Sequence, residues 1–244
     1  MRSKARATWD AVISHRFFRE IGEDTIEDRV FARYLRIEYG FVDCAAAALG
    51  YAVAKAPSFR ERRHLALGLY GLVTDQEQFF VDAFERVGPP PDQRTGLALS
   101  APLHDLFLRV AKAEGYEEIL ACVLAAEWMY LTWCSTADKT PSSRPAIRDW
   151  VALHAGGTFA NQVAWVRADI DERAPRLNAR RQARLSALFE QALSAEIAFH
   201  DPVYAIAMIR PERRVRRSPV APPGSGRSRR RRQRRLALRW ASSC

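Results

Sequence analysis

The stretch Val123–Cys134, VLAAEWMYLTWC, is an apolar run with the composition of a buried helix. It nevertheless contains a carboxylate, Glu127, and helical spacing places Tyr130 and Cys134 on the same side, three and seven residues later. A carboxylate inside an apolar core costs on the order of several kcal/mol unless a partner compensates for its lost hydration. The stretch therefore predicts a core helix in which Glu127 requires an explanation.

The composition of the chain favours a globular protein with a sizeable core, since 48% of its 244 residues are hydrophobic. No run of about 18 uncharged apolar residues occurs, so we expect no membrane span. The N-terminal stretch also lacks the apolar segment of a signal peptide. The four cysteines form no CxxC pair and are expected to be reduced thiols of a cytoplasmic protein.

The positive charge of the chain is concentrated near its C-terminus. Residues 210–244 hold 13 arginines and one glutamate, whereas the net charge of the whole chain is +10, so residues 1–209 are close to neutral. The segment is also rich in Pro, Gly and Ser, which predicts a helical domain over 1–208 and a disordered Arg-rich tail over 209–244. The excess of Arg over Lys, 34 to 4, fits a GC-rich bacterial genome.

The hydrophobic pattern up to about residue 206 is helical, and strand-like alternation is absent. Proline-containing breaks such as KAPSF and GPPPDQ separate the segments. We therefore predict an all-α bundle of about seven helices, some of them long. Their predicted ranges are 4–19, 26–55, 58–87, 101–113, 116–136, 144–171 and 176–206.

Three glutamates, Glu38, Glu127 and Glu196, stand among apolar neighbours on three predicted helices, each with an aromatic residue three positions later. Acids and aromatic rings around a small apolar pocket would suit a flat nitrogen heterocycle, because rings stack on it and carboxylates accept from its amino groups. A desolvated carboxyl could also act as a general acid or base. The competing interpretation is that each glutamate lies at a helix boundary with its carboxylate in water.

The order of segments from about His15 to Ala205 resembles the TenA/thiaminase II family, which has the haem-oxygenase-like fold. The segments that carry the resemblance are HRFFREIGEDTIEDRVFARYLRIEYGF, AVAKAP, GYEEILACVLAAEWMY and LFEQALSAEIAF. The resemblance implies hydrolysis of a C–N bond in aminomethyl- or formylaminomethyl-pyrimidines during thiamin salvage. It also implies self-association into a homo-oligomer, no cofactor and no metal.

The resemblance also implies roles for five residues. Glu38 stands where the family has a pyrimidine-binding aspartate, and Phe41 matches the aromatic residue that stacks on the ring. Tyr130 matches the tyrosine of the central helix, and Glu196 matches the C-terminal acid of proton transfer. Glu127 and Glu196 would activate water and protonate the leaving nitrogen, in either order.

The chain departs from the family pattern at three places. The nucleophilic cysteine of one subgroup falls on Ala126, whereas a second subgroup carries a glutamate one position later, as AAEWMY does at Glu127. Two family tyrosines fall near Leu103 or His104 and near His154. These departures leave open a non-catalytic or regulatory protein that binds a small ligand on the same fold.

The remaining candidate residues are better explained without a specific catalytic or metal-binding role. Cys122 and Cys134 are expected to be buried thiols. His200 follows Glu196 by one turn, as in a metal ligand pair, but a metal-dependent oxidase would need a second such pair. The Arg-rich tail could bind anionic polymers through its charge, and no motif suggests that it reads a sequence.

Overall fold

Ten α-helices make up most of the regular structure of residues 1–89 and 93–205, the part of the chain that the computed structural model describes, and no strand occurs there. The all-α class predicted from the sequence is therefore confirmed. The helices are α1 (Arg6–Ile13), α2 (Arg16–Gly22), α3 (Asp28–Lys55), α4 (Phe59–Gly71), α5 (Glu77–Val87), α6 (Gln93–Ala113), α7 (Tyr116–Ala137), α8 (Pro145–Ala155), α9 (Gly157–Arg173) and α10 (Ala179–His200). The predicted tail, 209–244, lies outside the described residues, and the division at residue 208 stays a prediction.

Three of the predicted long helices are interrupted, which is why there are more helices than the seven or so expected. The helix predicted over 4–19 stops at Ser14, and His15 begins α2 because its Nδ1 accepts from the backbone N–H of Phe17 at 3.2 Å. The helix predicted over 144–171 is divided at Gly156 into α8 and α9. The helix predicted over 58–87 contains a π-helical turn, Leu72–Gln76, between α4 and α5.

Helix α7 lies at the centre of the bundle, where it packs against α1, α2, α3, α6, α8, α9 and α10. This position explains its nearly continuous apolar sequence, because a helix that is covered on most sides has no solvent face. Helices α3 and α7 are both long and apolar enough to cross a membrane by composition. Core helices pass the same test, and α7 is largely buried inside the bundle.

A group of buried acids at the α4–α9 contact is paired with arginines. Arg173 Nη2 lies 2.8 Å from Glu61 Oε1, and Arg173 Nε lies 3.0 Å from Asp169 Oδ2. Glu61 is 2% exposed and Asp169 is 5% exposed. Tyr116 donates to Asp169 Oδ2 at 2.9 Å, which links this contact to the start of α7. We call Glu61 and Asp169 the arginine-paired acids.

The far end of α3 is held against the end of α6 by a lysine. Lys55 Nζ donates to the backbone carbonyls of Ala111 and Glu114, at 2.7 and 2.6 Å. These carbonyls lie at the C-terminal end of a helix, where unpaired acceptors and the helix dipole both favour a cation. The contact fixes the register of α3 against α6, and these helices form two walls of the cavity described next.

Candidate active site

A cavity of about 420 Å³ lies between α3, α4, α6, α7, α9 and α10. All five residues predicted for the site line it, and the structure therefore brings acids from three distant parts of the chain to one space. These residues are Glu38, Phe41, Glu127, Tyr130 and Glu196. Their catalytic and binding roles stay predictions, whereas their placement around one cavity is a property of the structure.

Glu38 and Glu196 are almost completely withdrawn from solvent, with 6% and 1% exposure. Glu127 is partly buried and faces the cavity, and its Oε2 is fully covered. The alternative that these acids are boundary residues with carboxylates in bulk water does not hold for Glu38 and Glu196. Helical spacing placed each acid correctly on its buried face, but the convergence of α3, α7 and α10 depends on the packing.

Two tyrosines surround the carboxyl of Glu38. Tyr34 donates to Glu38 Oε2 at 3.1 Å, the Tyr130 hydroxyl lies 3.4 Å from the same oxygen, and the two hydroxyls are 3.1 Å apart. Burial raises the pKa of Glu38, the tyrosine hydrogen bonds oppose this, and the resulting pKa is about 7. Glu38 can therefore exist in either protonation state near neutral pH.

His200 offers the Tyr130 hydroxyl a second acceptor. His200 Nδ1 lies 2.7 Å from the backbone carbonyl of Glu196, and a carbonyl only accepts, so Nδ1 carries the proton. Nε2 then accepts from the Tyr130 hydroxyl at 3.2 Å. Tyr130 has one proton, so this donation to His200 competes with the donation to Glu38 Oε2 at 3.4 Å that helps to lower the pKa of Glu38.

The contact between His200 and Glu196 is not an ion pair, although Nδ1 and Oε2 are 3.8 Å apart. Burial lowers the pKa of His200 to about 3, so its ring is neutral at pH 7. Burial, and the nearby Glu38, raise the pKa of Glu196 well above its ordinary value. The protonated form of Glu196 is therefore favoured, and neither of its carboxyl oxygens has a hydrogen-bond partner among the described residues.

Glu127 stands apart from the other two acids electrostatically. Burial is the cause that raises its pKa, to about 8, and no neighbouring charge contributes. Its Oε2 has no hydrogen-bond partner in residues 1–89 and 93–205. A carboxyl that is uncompensated in this way is available to a ligand in the cavity.

Aromatic rings and aliphatic side chains form the remaining walls. Phe41 meets Phe107 edge to face, with ring centroids 5.3 Å apart. His154 stacks on Trp150 at 4.0 Å, and its Nδ1 lies 3.0 Å from the Trp150 carbonyl. Burial lowers the pKa of His154 to about 4, so it lines the cavity as a neutral ring.

Comparison with known proteins identifies the family of the chain. Residues 2–205 match the TENA/THI-4/PQQC family. The chain belongs to this family. It is 21% identical over 206 residues to an aminopyrimidine aminohydrolase from Halalkalibacterium halodurans, an alignment that covers 82% of this chain and 92% of the relative.

Solved structures of TenA proteins share the fold. A TenA homologue from Pyrococcus furiosus superposes with a TM-score of 0.73 at 20% identity, covering 83% of this chain and 97% of that one. A protein from Silicibacter sp. TM1040, described as a TenA family transcription regulator, also gives 0.73 at 20% identity, with 83% and 93% covered. The predicted family and its helical architecture are confirmed.

The structure of this TENA/THI-4/PQQC chain shows where the departures from the family pattern lie. Leu103, which is 1% exposed, lines the cavity, whereas His104 does not and instead lies against Asp105. Ala126 and Glu127 both line the cavity. The predicted thiols are buried in the core away from it, and burial raises the pKa of Cys122 to about 12.

Several site residues were not found from the sequence. Tyr34 precedes Glu38 by one helical turn, a spacing visible in the sequence but equally typical of core packing. His200 was weighed only as a metal ligand, and the described residues contain no group of three or more His, Cys, Asp or Glu placed to hold a metal ion. His64, Gln162 and Trp165, which line the outer part of the cavity, had no signal because α4 and α9 are distant in sequence.

Proposed function

We propose that this TENA/THI-4/PQQC protein is a Glu-type aminopyrimidine hydrolase of thiamin salvage. The observation that carries the proposal is Glu127, a cavity-facing acid with a raised pKa, next to Ala126 where a catalytic thiol would stand. The aminohydrolase from Halalkalibacterium halodurans supports the same class of reaction. The substrates would be aminomethyl- or formylaminomethyl-pyrimidines.

The inner end of the cavity suits an aminopyrimidine ring. Glu38 would accept a hydrogen bond from the amino group or a protonated ring nitrogen, and its ionised form would be stabilised by Tyr34. Phe41 and Tyr130 would hold the faces of the ring. His200 would act as a positioning residue, because its Nε2 lies 3.2 Å from the Tyr130 hydroxyl and offers it an acceptor.

The reaction would replace a C–N bond by a C–O bond with help from two acids of unequal proton affinity. Ionised Glu127 would take a proton from water as the water oxygen attacks the methylene carbon. Protonated Glu196 would give its proton to the leaving nitrogen, which departs as ammonia or as formamide. We assign the base to Glu127 because burial alone raises its pKa, whereas the nearby Glu38 further disfavours ionisation of Glu196.

The test is turnover of both pyrimidines by wild type and by Glu127→Gln, followed by chromatography of the hydroxymethyl-pyrimidine product. We expect Glu127→Gln to lose at least about a hundredfold in kcat with its fold intact. The matched control is Glu117→Gln, the same change on the same helix, where the carboxylate pairs with Arg181 instead of facing the cavity. Normal turnover by Glu127→Gln would remove Glu127 from the mechanism.

A second candidate function is a non-catalytic regulator that binds the same class of ligand. Two observations favour it: Leu103 and His154 occupy the cavity wall where the family has tyrosines, and the Silicibacter relative is described as a transcription regulator. A protein of this kind would bind a pyrimidine with a measurable Kd and release no product. Binding without turnover would select this function over hydrolysis.

We also propose a cytoplasmic location, self-association into a homo-oligomer and nonspecific binding of anionic polymers by the tail over 209–244. The supporting observations are the absence of a disulfide among Cys44, Cys122 and Cys134 and the arginines of the tail. Sedimentation of the full chain, with and without added RNA, would test the last two statements together.

A further inference from the structure

We propose that the cavity binds an organic cation in exchange for a proton, and that Glu127 is the group that gives up the proton. The lining of the cavity contains acids without a basic partner, so a cationic ligand would supply the charge that the protein does not. The proposal rests on the proposed function in that it concerns the same cavity, and it adds the charge that the bound ligand would carry.

Carboxyl groups enter the cavity from several of its walls. Glu38 on α3, Glu127 on α7 and Glu196 on α10 line its inner end, and Asp75 is exposed at its outer end. The described lining contains no lysine or arginine. Glu127 Oε2 and both carboxyl oxygens of Glu196 are covered and have no hydrogen-bond partner within residues 1–89 and 93–205. The inner end therefore presents acids whose charge nothing in the lining would balance.

Buried acids elsewhere in the protein have an arginine partner. Glu61 and Asp169 both contact Arg173, at 2.8 and 3.0 Å. Because desolvation of a carboxylate is costly, a buried acid either pairs with a cation or keeps its proton. Glu127 has no basic side chain as a partner in the part of the chain that the structure describes, and burial raises its pKa to about 8. Without a cation nearby, this carboxyl is mostly protonated at pH 7.

The other titratable groups of the lining do not neutralise Glu127. Burial lowers the pKa of His154 to about 4, so this ring is neutral at pH 7, and His64 is exposed at the outer end. Within the described chain, α6 and α9 contribute no titratable group to the lining, and α1 and α2 contribute no residue. Arg2 and Arg167 lie over an indole ring of α7, outside the lining. The titratable groups that share the cavity with Glu127 are Glu38, His64, Asp75, Tyr130, His154 and Glu196.

A cation in the cavity would reverse the preference of Glu127 for its protonated form. A positive charge close to a carboxyl lowers its pKa by about 1 to 3. Such a change would take the pKa of Glu127 from about 8 to 7 or below, so its proton would pass to water as the ligand binds. The neutral acid and the cation would become an ion pair and a hydronium ion, and total charge is conserved. A neutral ligand of the same shape would leave the carboxyl protonated.

The walls of the cavity favour an organic cation over a metal ion. The rings of Phe41, Phe107, Tyr130 and Trp165 line it, and aromatic faces attract alkylammonium groups. The described residues contain no group of three or more His, Cys, Asp or Glu placed to hold a metal ion. In the mechanism proposed above, an amine substrate that enters as its ammonium form would thereby ionise Glu127, the group assigned as the base.

The experiment compares two aminopyrimidines of the same shape, one with a trimethylammoniomethyl substituent and one with the uncharged 2,2-dimethylpropyl substituent. Titration calorimetry of the full chain at pH 7 in phosphate and in Tris, which differ in their heat of protonation, gives the number of protons released on binding. We expect the cation to release about half a proton to one proton more than the neutral compound. From pH 6 to pH 8 the Kd of the cation should fall at least about fivefold.

Glu127→Gln tests which acid exchanges the proton. The amide cannot ionise, so the additional release caused by the cation should be lost. Because variant and wild type bind the same compounds, titration of the pyrimidine ring cancels from this comparison. Glu117→Gln, on the same helix and paired with Arg181, is the matched control and should keep the full release. Difference infrared spectroscopy should show the loss of a protonated carboxyl band when the cation binds to wild type, and no such loss in Glu127→Gln.

Equal proton release by the two compounds in wild type would overturn the exchange, and this comparison needs no variant. Full release in Glu127→Gln would overturn the assignment to Glu127. If neither pyrimidine binds, the proposed function fails, and choline with its uncharged analogue 3,3-dimethylbutan-1-ol then provides the test, since neither contains a pyrimidine ring. Proton release by choline alone would support the exchange in that case, whereas absence of binding or of release would overturn it.

Discussion

Two sets of buried carboxylic acids in this protein have similar burial and opposite proton affinity. Glu196 is 1% exposed and Glu61 is 2% exposed. Burial raises the pKa of Glu61 too, but hydrogen bonds from Ser58 and Arg60 more than offset it, and the pKa falls to about 2. Within residues 1–89 and 93–205 no such cation reaches Glu196, and its pKa is raised well above the ordinary value.

The difference teaches that burial alone does not mark a functional acid. The arginine-paired acids join α4 to α9 through Arg173, which is a structural task. The acids of the cavity have tyrosine hydroxyls as partners, or no partner among the described residues, so burial raises their pKa values, to about 7 for Glu38 and about 8 for Glu127. The placement of arginines therefore separates the two roles.

The largest expected effect is on the arginine-paired acids. Arg173→Met would leave Glu61 and Asp169 buried without their shared cation, and we expect a loss of about 3 to 5 kcal/mol in the free energy of unfolding. Urea denaturation measures it. The matched control is Arg176→Met, which removes an exposed pair with Glu172 at the same helical spacing and should cost less than about 1 kcal/mol. Equal losses in the two variants would mean that burial does not distinguish these pairs.

Glu196→Gln should have the opposite effects, with little change in stability and a large loss of turnover. The amide is nearly the same size as the carboxylic acid, and Glu196 has no side-chain hydrogen bond among the described residues to lose, so stability should be unchanged or slightly higher. Turnover should fall at least about a hundredfold because the proton donor is gone. A variant that unfolds, or that keeps its full activity, would place Glu196 with the structural acids.

A smaller effect is expected in the pH dependence of stability at Glu127. In the unfolded chain this carboxyl ionises near its ordinary pKa of 4.5, whereas the folded protein holds the proton until about pH 8. Between these values the folded state binds more protons, so its stability relative to Glu127→Gln decreases as pH rises, and the decrease ends above about pH 8. Over that window we expect a change of no more than about 4 kcal/mol.

Urea denaturation of wild type and Glu127→Gln from pH 5 to pH 9 measures this change. The stabilising effect of the glutamine should grow with pH and then become constant. A difference that stays flat from pH 5 to pH 9 would show that Glu127 is already ionised in the folded protein at pH 5, as an arginine-paired acid would be.

The smallest effect is expected for Tyr34→Phe, which keeps the ring and removes one hydroxyl. That hydroxyl donates to Glu38, so its loss should raise the pKa of Glu38 above about 7. We expect kcat/KM at pH 7 to fall about fivefold, with the acidic limb of the pH profile moved to higher pH. A uniform fall at every pH would indicate disturbed packing and no effect on the proton affinity of Glu38.

The helices and the inner acids could be predicted from the sequence, because both depend on local spacing. A glutamate with an aromatic residue one turn later marks a buried face, and this holds for Glu38 and Glu196. The pairing of acids with arginines is also local where the partners are four residues apart, as for Asp169 and Arg173. It is not local for Arg173 and Glu61, which no spacing could connect.

The outer part of the cavity could not be predicted, for the same physical reason. His64 and Trp165 meet only because α4 packs near α9, a contact about a hundred residues apart in sequence. The breaks in the predicted long helices were also missed. His15 is an uncommon capping residue, and LVTDQ, which forms the π-helical turn, has no glycine or proline to mark it.

The π-helical turn Leu72–Gln76 has a consequence for how the cavity could change in evolution. Removing one residue from 72–76 would restore regular helical winding within the turn and leave α5 in nearly the same orientation, because a π-helical turn holds about one residue more than an α-helical turn. Only the wall that Leu72, Asp75 and Gln76 form would then be rebuilt, while the inner acids on α3, α7 and α10 would stay where they are. A deletion or insertion of one residue at this place is thus a route by which relatives could change the outer wall of the cavity, and with it the substituent accepted there, without moving the inner acids.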